Sequence, residues 1–575
     1  MQTQHIETTP ANGRDKPTTD LEAVLFAYKK KWGVAYRYRL KQAVRGTLIT
    51  GTIGAGKTSG FGDFLATLFL KHGWGGLVLC GKNDEADEWV ERAKRAGRDE
   101  NDIVRFRADG DFLFNPLMYE QLRKDDGGNN TDTMTRLLTS AARLSNRLAG
   151  GSSGGSKDPY WDMALERLTK ASLDVIKYSE SEMNVATMVS LIVNVPQTKN
   201  LLAVYKDCLE KLMKARSDRM GDNRVTKIPM QSFDKIIQGS RRTFDQYRKN
   251  HPQENEEQIT QRIKDSASKA DFVLAPEGWE KNPLITALLR AEQREDMTSV
   301  ERAQFEVARQ YFLNDLPNQS ERMRSSILEM FYAYYGAFRA GSMADIFSKG
   351  ISQQIDPERS LEGKIILLDF PYHTYGALGS FVQTLYKRTW QQAMQRRNTD
   401  ENARPVFLWI DEYQLFADPD DQEFCTTARS SRVAPVFLTQ NISNLYAAIG
   451  NQNRVVSMLG NLVTKVFHQN NDFETNEFAV RTIAERRQKV RKTDIRERTA
   501  QVFENVTEQQ VTPYEFTQLR TGGKSEDGKS DYMVEAIMTG DTYYSKPRTP
   551  GGEPVKENFM KIAVAQHFKS KIEKT

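Results

Sequence analysis

Cysteine is scarce in this chain: three residues in 575, Cys80, Cys208 and Cys425, far apart and with no C-x-x-C pair. A disulfide framework and a cysteine zinc site are therefore excluded as organising features, and a reducing cytosol is the expected setting. The six histidines are isolated, which gives no support to a transition-metal centre. No stretch approaches the ~18 uncharged apolar residues that would span a bilayer. The most apolar window, Met330 to Phe338, runs into Arg339. The first 20 residues are polar and lack an apolar signal core. Charge of one sign is also missing: 81 Lys+Arg face 76 Asp+Glu, so the net charge of +5 does not by itself point to nucleic acid. No internal repeat is visible, and neither a helix-turn-helix nor a zinc-finger spacing argues for base-specific DNA reading.

What is present is enough apolar sequence, 39%, for more than one core. Residues 1–20 read as a disordered arm. Leu21 to Leu40 mixes apolar and basic residues and is expected to pack as a helix before the first strand. Thr47-Leu48-Ile49-Thr50 is a short buried strand. Phe61, Phe64, Leu65, Leu68 and Phe69 then recur on one helical face, and Leu77 to Cys80 forms a second strand. This β-α-β start predicts a parallel sheet. Glycine-rich linkers follow at 125–130 and 149–156. From Pro159 to Ala340 the patterns are almost wholly helical. Strand character returns at Lys364 to Phe370, Val406 to Ile410, Pro435 to Thr439 and Thr464 to His468, while the last 95 residues are polar and charged.

The sharpest motif is Gly51-Thr52-Ile53-Gly54-Ala55-Gly56-Lys57-Thr58, which fits G-x-x-x-x-G-K-[ST] between a strand and a helix. Glycines let successive N–H groups turn toward phosphates, with a helix N-terminus behind them. Gly51, Thr52, Gly54, Ala55, Gly56, Lys57, Thr58 and Ser59 are the candidate ATP-binding residues. Lys57 supplies a cation to the β/γ-phosphates, and Thr58 a hydroxyl to Mg²⁺. The acidic partner is expected at the tip of another buried strand. Asp411-Glu412 ends the run Val406-Phe407-Leu408-Trp409-Ile410. Asp411 is assigned to Mg²⁺ with Thr58, and Glu412 to orienting and deprotonating the attacking water. Asp369 after Ile365 to Leu368 is the rival, but it lacks the adjacent glutamate. One strand later, Gln440 presents an amide suited to the γ-phosphate or the water.

Together these pieces resemble the FtsK/HerA-like motor ATPases, closest to the coupling proteins of type IV secretion and conjugation. The similarity extends to Phe114-Asn115-Pro116-Leu117, Pro159-Tyr160-Trp161-Asp162-Met163-Ala164, Leu459 to Val466 with Asp472-Phe473-Glu474-Thr475, and Pro513 to Leu519. It covers about residues 45 to 540. The resemblance implies an α/β fold, a RecA-like P-loop NTPase core with a mostly parallel central sheet plus an all-α insertion domain. Its spans are an arm over 1–20, a first ATPase part over 21–120, the helical insertion over 121–345, a second ATPase part over 346–545 and a charged tail over 546–575. It further implies a homo-hexameric ring with ATP sites between subunits, in which a neighbour lends an arginine; Arg429 fits best and Arg432 second. The chain departs from the family in two places: it has no N-terminal transmembrane helices, and the strand ending in Cys80 lacks the family's first Asp.

The function implied is ATP-driven, sequence-independent DNA translocation serving conjugative or secretion-like transfer. A relaxase or secretion-channel proteins are the implied partners. The chain is expected in the cytoplasm, free or held at the inner membrane by a separate anchor. The basic clusters Arg241-Arg242 with Arg248-Lys249, and Arg481 to Arg498, are candidates for phosphate contacts. A secretion ATPase for protein export or pilus assembly, and a nucleotide-dependent interaction switch, are the alternatives.

Overall fold

The computed structural model describes residues 5–9, 17–124, 127–148, 159–195, 249, 253, 282–292, 294–338, 341–493, 501–523, 532–546 and 553–566. The chain divides into two units. The first contains residues 1–112, 143–155 and 352–575, and the second contains 113–142 and 156–351.

The first unit is built on a sheet that has nine strands among the described residues. They are β4 (Thr47–Thr50), β5 (Gly75–Leu79), β6 (Ile103–Arg107), β7 (Ile365–Asp369), β8 (Val406–Ile410), β9 (Val433–Thr439), β10 (Thr464–Phe467), β13 (Met533–Ser545) and β14 (Val555–Ala565). The order across the sheet is β14-β13-β10-β4-β9-β8-β5-β7-β6. From β10 to β6 every pairing is parallel, whereas β13 and β14 add an antiparallel edge. Strands β4, β5, β7, β8, β9 and β10 are buried along their whole length. Helices such as Asp63–Lys71, Glu85–Arg95 and Tyr372–Arg396 connect the strands. That double burial is why these strands read as unbroken apolar runs, not as alternating ones. The strand carrying the glycine loop, β4, is separated from the Asp-Glu strand, β8, by a single strand, β9. This is a RecA-like P-loop NTPase core.

Three expectations need correction. Leu21 to Leu40 is no helix: β2 (Val24–Lys30) and β3 (Gly33–Arg39) form a hairpin. Its residues alternate with period two, so that Tyr36 and Tyr38 are buried and Arg37 is exposed. The arm over 1–20 contributes β1 (His5–Thr8), which pairs antiparallel with β2. Within the region read as a charged tail, Val555–Ala565 is the edge strand β14, with Met560, Ile562 and Val564 buried. From Met560 to Val564 every second residue is apolar and buried, a pattern that the preceding charges hide.

The hairpin is part of the same core. The Tyr36 ring lies 4.7 Å from that of Tyr543 on β13, and Phe26 meets Phe64 of the helix Asp63–Lys71 edge-on at 5.1 Å. Gln42, just after β3, donates from Nε2 to Asp541 at 2.8 Å.

The second unit is helical throughout its described residues, apart from one isolated bridge between Phe114 and Ile351. Asn115 accounts for its first residues. Its side chain caps the helix Pro116–Leu122 and donates to the Met183 and Ser348 carbonyls at 2.8 and 3.2 Å. Residues 113–120 and 346–351 therefore belong with the helical unit, beyond the expected limits of 121 and 345. Arg241, Arg242 and Arg248 lie outside the described residues. A separate hairpin pairs β11 (Glu485–Thr493) with β12 (Gln501–Gln509). Most of the second basic stretch thus runs along a strand, while its last members, Arg496 and Arg498, also lie outside the described residues. No described helix is long and apolar enough to cross a membrane.

Because Phe26 is 1% exposed within an aromatic cluster, Phe26→Ala should destabilise the first unit by about 3–5 kcal/mol. Urea unfolding measures this. A loss under about 1 kcal/mol would show that the hairpin is not part of the core.

Candidate functional site

The glycine loop leaves β4 and turns back into the helix Asp63–Lys71 through a wide turn over Thr58–Gly62. Gly54 and Gly56 both have φ near +80°, a conformation costly for any residue with a Cβ. The loop is tied to the end of β10: Thr52 donates its N–H to the Gln469 carbonyl at 3.0 Å and its Oγ1 to Gln469 Oε1 at 2.8 Å. Ile53 at the tip is exposed.

Five of the expected residues converge here, two from the loop and three beside it. Thr58 Oγ1 donates to Asp411 Oδ2 at 2.9 Å, and Lys57 Nζ lies 3.8 Å from Glu412 Oε1. Gln440, one residue past β9, donates from Nε2 to Glu412 Oε2 at 3.2 Å. The strand order explains the meeting. β4, β9 and β8 are neighbours, so their carboxyl ends lie side by side, which is where ligands gather in parallel sheets. Asp369, at the end of β7, lies farther across the sheet and is paired with Arg105 at 2.7 Å.

Glu412 is held in an uncommon backbone conformation, φ +51° and ψ +49°, at a cost of about 1–3 kcal/mol. The turn that follows keeps it there. Tyr413 stacks on Phe437 of β9 at 4.1 Å and donates its hydroxyl to Asp421 at 2.8 Å. Asp421 in turn pairs with Lys387 at 2.8 Å, both side chains wholly buried, and Lys387 also donates to the Phe416 carbonyl. Removing one partner of such a buried pair costs more than the pair itself contributes, because it strands a charge.

Two further residues belong to the site. Lys82, just past β5, places Nζ 2.9 Å from Glu412 Oε1 and 3.5 Å from Asp411 Oδ2. Glu85 is buried, and its Oε2 accepts the Gly81 N–H at 2.8 Å. Burial, followed by the charge of Asp411, pushes the Glu85 carboxyl up to about 8. For Lys82 burial works downward, but Asp411 and Glu412 outweigh it and hold the ammonium above its ordinary range. Burial would likewise raise Glu412; Lys57, Lys82 and Gln414 outweigh it and keep this carboxylate below its ordinary value. Glu412 is thus poised as an ionised acceptor, the state required of a group that orients water. The signal for Lys82 and Glu85 is in the sequence, since Gly81-Lys82-Asn83-Asp84-Glu85 is a polar tip after an apolar run.

Arg429 and Arg432 are not brought to this site. They precede β9, whereas Gln440 follows it, so the length of the strand, roughly 20 Å at ~3.3 Å per residue, separates them from it. Arg429 is exposed there.

The fold and this cluster define the class: a RecA-like P-loop NTPase. Within it, residues 405–521 match the family model described as the TraM recognition site of TraD and TraG, which supports the likeness to coupling proteins over that segment. No curated protein sequence matches significantly. Among solved structures, the unbound monoclinic form of the bacterial conjugative coupling protein TrwBdeltaN70 aligns with a TM-score of 0.49 at 12% identity, over 92% of this chain and 86% of that one. The plasmid coupling protein TrwB in complex with ADP and Mg²⁺ gives 0.47 at 11% identity, over 99% and 96%. Its complex with the non-hydrolysable GTP analogue GDPNP also gives 0.47 at 11%, over 99% and 97%.

His468, directly after β10, adds a pH dependence. It is fully buried against Gly51, and its Nδ1 donates to the Glu535 carbonyl at 3.2 Å. Burial lowers its pKa to about 4; that hydrogen bond opposes the shift and the Lys57 charge adds to it. A folded pKa below the unfolded value means that the unfolded chain takes up the proton first. Stability is therefore present above about pH 6.5 and is lost as pH falls toward 4, by an amount on the order of 3 kcal/mol. His468→Gln should flatten that part of the curve, as read by urea unfolding at pH 7, 6 and 5. An unchanged slope would mean that other groups set it.

Proposed function

We propose that this chain is an ATPase motor of the conjugative coupling type, which hydrolyses ATP with Mg²⁺ to move DNA without reading its sequence. The observation that carries the proposal is the convergence of Thr58–Asp411 and Gln440–Glu412 on one glycine loop. The hydroxyl and carboxylate of the first pair are the hard oxygen donors that Mg²⁺ takes, and they fit it. When bound, Mg²⁺ would neutralise charge on the β- and γ-phosphates. The protein's own groups do the rest. Backbone N–H groups of the glycine loop, apart from that of Ala55, which donates to the Thr52 carbonyl at 3.1 Å, and the Lys57 ammonium hold the phosphates. Glu412, kept ionised, accepts a proton from the attacking water, and Gln440 orients both. Lys82, 40% exposed at its side chain, balances the charge of Asp411 and Glu412.

The family model over 405–521 supports the coupling-protein reading, and its description points to a partner of the TraM kind on that segment. The ring, the DNA and a relaxase or secretion-channel partner follow from the resemblance. So does the trans arginine: since Arg429 lies far from the site of its own chain, it can act only on a neighbour's.

ATP hydrolysis should rise several-fold with DNA at low salt and less at moderate salt, in the same samples that show a ring-sized particle. Hydrolysis indifferent to DNA would favour a secretion ATPase, and slow hydrolysis by a monomer would favour a switch. Lys57→Ala should abolish ATP binding, while Glu412→Gln should bind ATP and fail to turn it over. Arg429→Ala should bind but not hydrolyse, and mixing it with Lys57→Ala subunits should restore part of the activity. No recovery in that mixture would count against a shared site.

A further inference from the structure

The groups assigned to the γ-phosphate all lie on one side of the glycine loop. In the order β13-β10-β4-β9-β8-β5, Gln440, Glu412, Asp411 and Lys82 stand at the ends of β9, β8 and β5. A triphosphate whose γ end faces them must run its α-phosphate and nucleoside toward the other half of the sheet. There the start of β13 and the end of β14 lie beside each other, Met533 opposite Ala565. They also lie against the loop: a Cβ added at Gly56 would stand 2.6 Å from Val534 Cγ2 and 2.9 Å from Gln566 Nε2.

Gln566 is the residue that joins these parts. Its N–H donates to the Tyr532 carbonyl at 2.7 Å, and its side chain is buried. Nε2 donates to Ser59 Oγ at 3.2 Å and to the Thr521 carbonyl at 3.3 Å. A carbonyl can only accept, so it fixes which end of the carboxamide is nitrogen. Oε1 then lies beside Gly522, where φ is +83° and an added Cβ would come within 1.8 Å of it. That oxygen has no hydrogen-bond partner among the described residues. The 520–521 turn is fastened to β13 by the Glu535 N–H bond to the Arg520 carbonyl at 2.9 Å. One side chain thus spans the glycine-loop helix, the 521–522 turn and the last strand.

We propose that Gln566 is a positioning residue of the nucleotide site. It sets Ser59 and the 521–522 turn as the wall on the α-phosphate and nucleoside side, and so makes nucleotide affinity depend on the C-terminal strand. The inference rests on the ATPase reading above. A contact on that side is shared by ATP and ADP, so its loss weakens both alike.

The test is Gln566→Leu in the full chain, with ATP and ADP affinities measured by calorimetry and with KM and kcat from steady-state hydrolysis. Both affinities should fall by about fivefold to tenfold, the worth of one or two neutral hydrogen bonds. KM should rise more than kcat falls. Wild-type affinities in a folded Gln566→Leu protein would overturn the proposal, and so would a loss confined to ATP. If Gln566→Leu folds poorly, Ser59→Ala and Gln566→Asn replace it. Their losses should be less than additive in the double variant, and additive losses would refute the link. Failure of the parent reading looks different, since the unaltered chain would then bind no ATP and Lys57→Ala would change nothing.

Discussion

Three carboxylates meet at the carboxyl ends of β5 and β8, and two lysines hold them there. Asp411 and Glu412 end one strand, Glu85 opens the helix after the other, and all three are buried. Left alone, such crowding would drive the strands apart or force protons onto the acids. Lys57 from the glycine loop and Lys82 from the tip of β5 supply the opposing charge, and Glu85 relieves the remainder by holding its proton to about pH 8. The nucleotide loop, the acidic strand and the second lysine are thus fixed by one electrostatic constraint. Any anion that enters next to Lys57 competes with Glu412 for the same ammonium.

The surroundings support that cluster with rigid packing. Glu412 stays in its left-handed turn because Tyr413 is clamped between Phe437 and the buried Asp421–Lys387 pair. The loop is held on the other flank by Gln469 through two hydrogen bonds. The antiparallel edge, β13 and β14, closes the same end of the sheet against Gly56 and Ser59. The connections from this cluster to distant segments run through short contacts of buried side chains.

Much of the central sheet was legible because strands buried on both faces must be continuously apolar. Runs such as Val406 to Ile410 announce themselves, and the polar residue that ends each run marks the ligand-binding rim. The flanking strands were not legible. Tyr36 to Arg39 and Val555 to Ala565 interleave charged residues with apolar ones, which in a short window resembles a surface helix or a solvated tail. Lys82 and Glu85 carried a visible signal, a polar tip after a strand, yet nothing local says which tips converge. Gln566 carried none, because a lone glutamine near a charged terminus has no pattern to betray its partner.

The sequence by itself determined the chemistry of the loop. Glycine suits the positive φ of positions 54 and 56, and a lysine and a hydroxyl at 57 and 58 are side chains suited to phosphates and a hard cation. It also determined that a buried strand must end in Asp411-Glu412. Which strands are neighbours was decided by tertiary structure alone, because pairing order depends on contacts between segments hundreds of residues apart. That order set Asp411 against Thr58 and left Asp369 to Arg105. It put Gln440 on Glu412 and Arg429 a strand's length away, and it carried Gln566 back to a loop more than five hundred residues earlier.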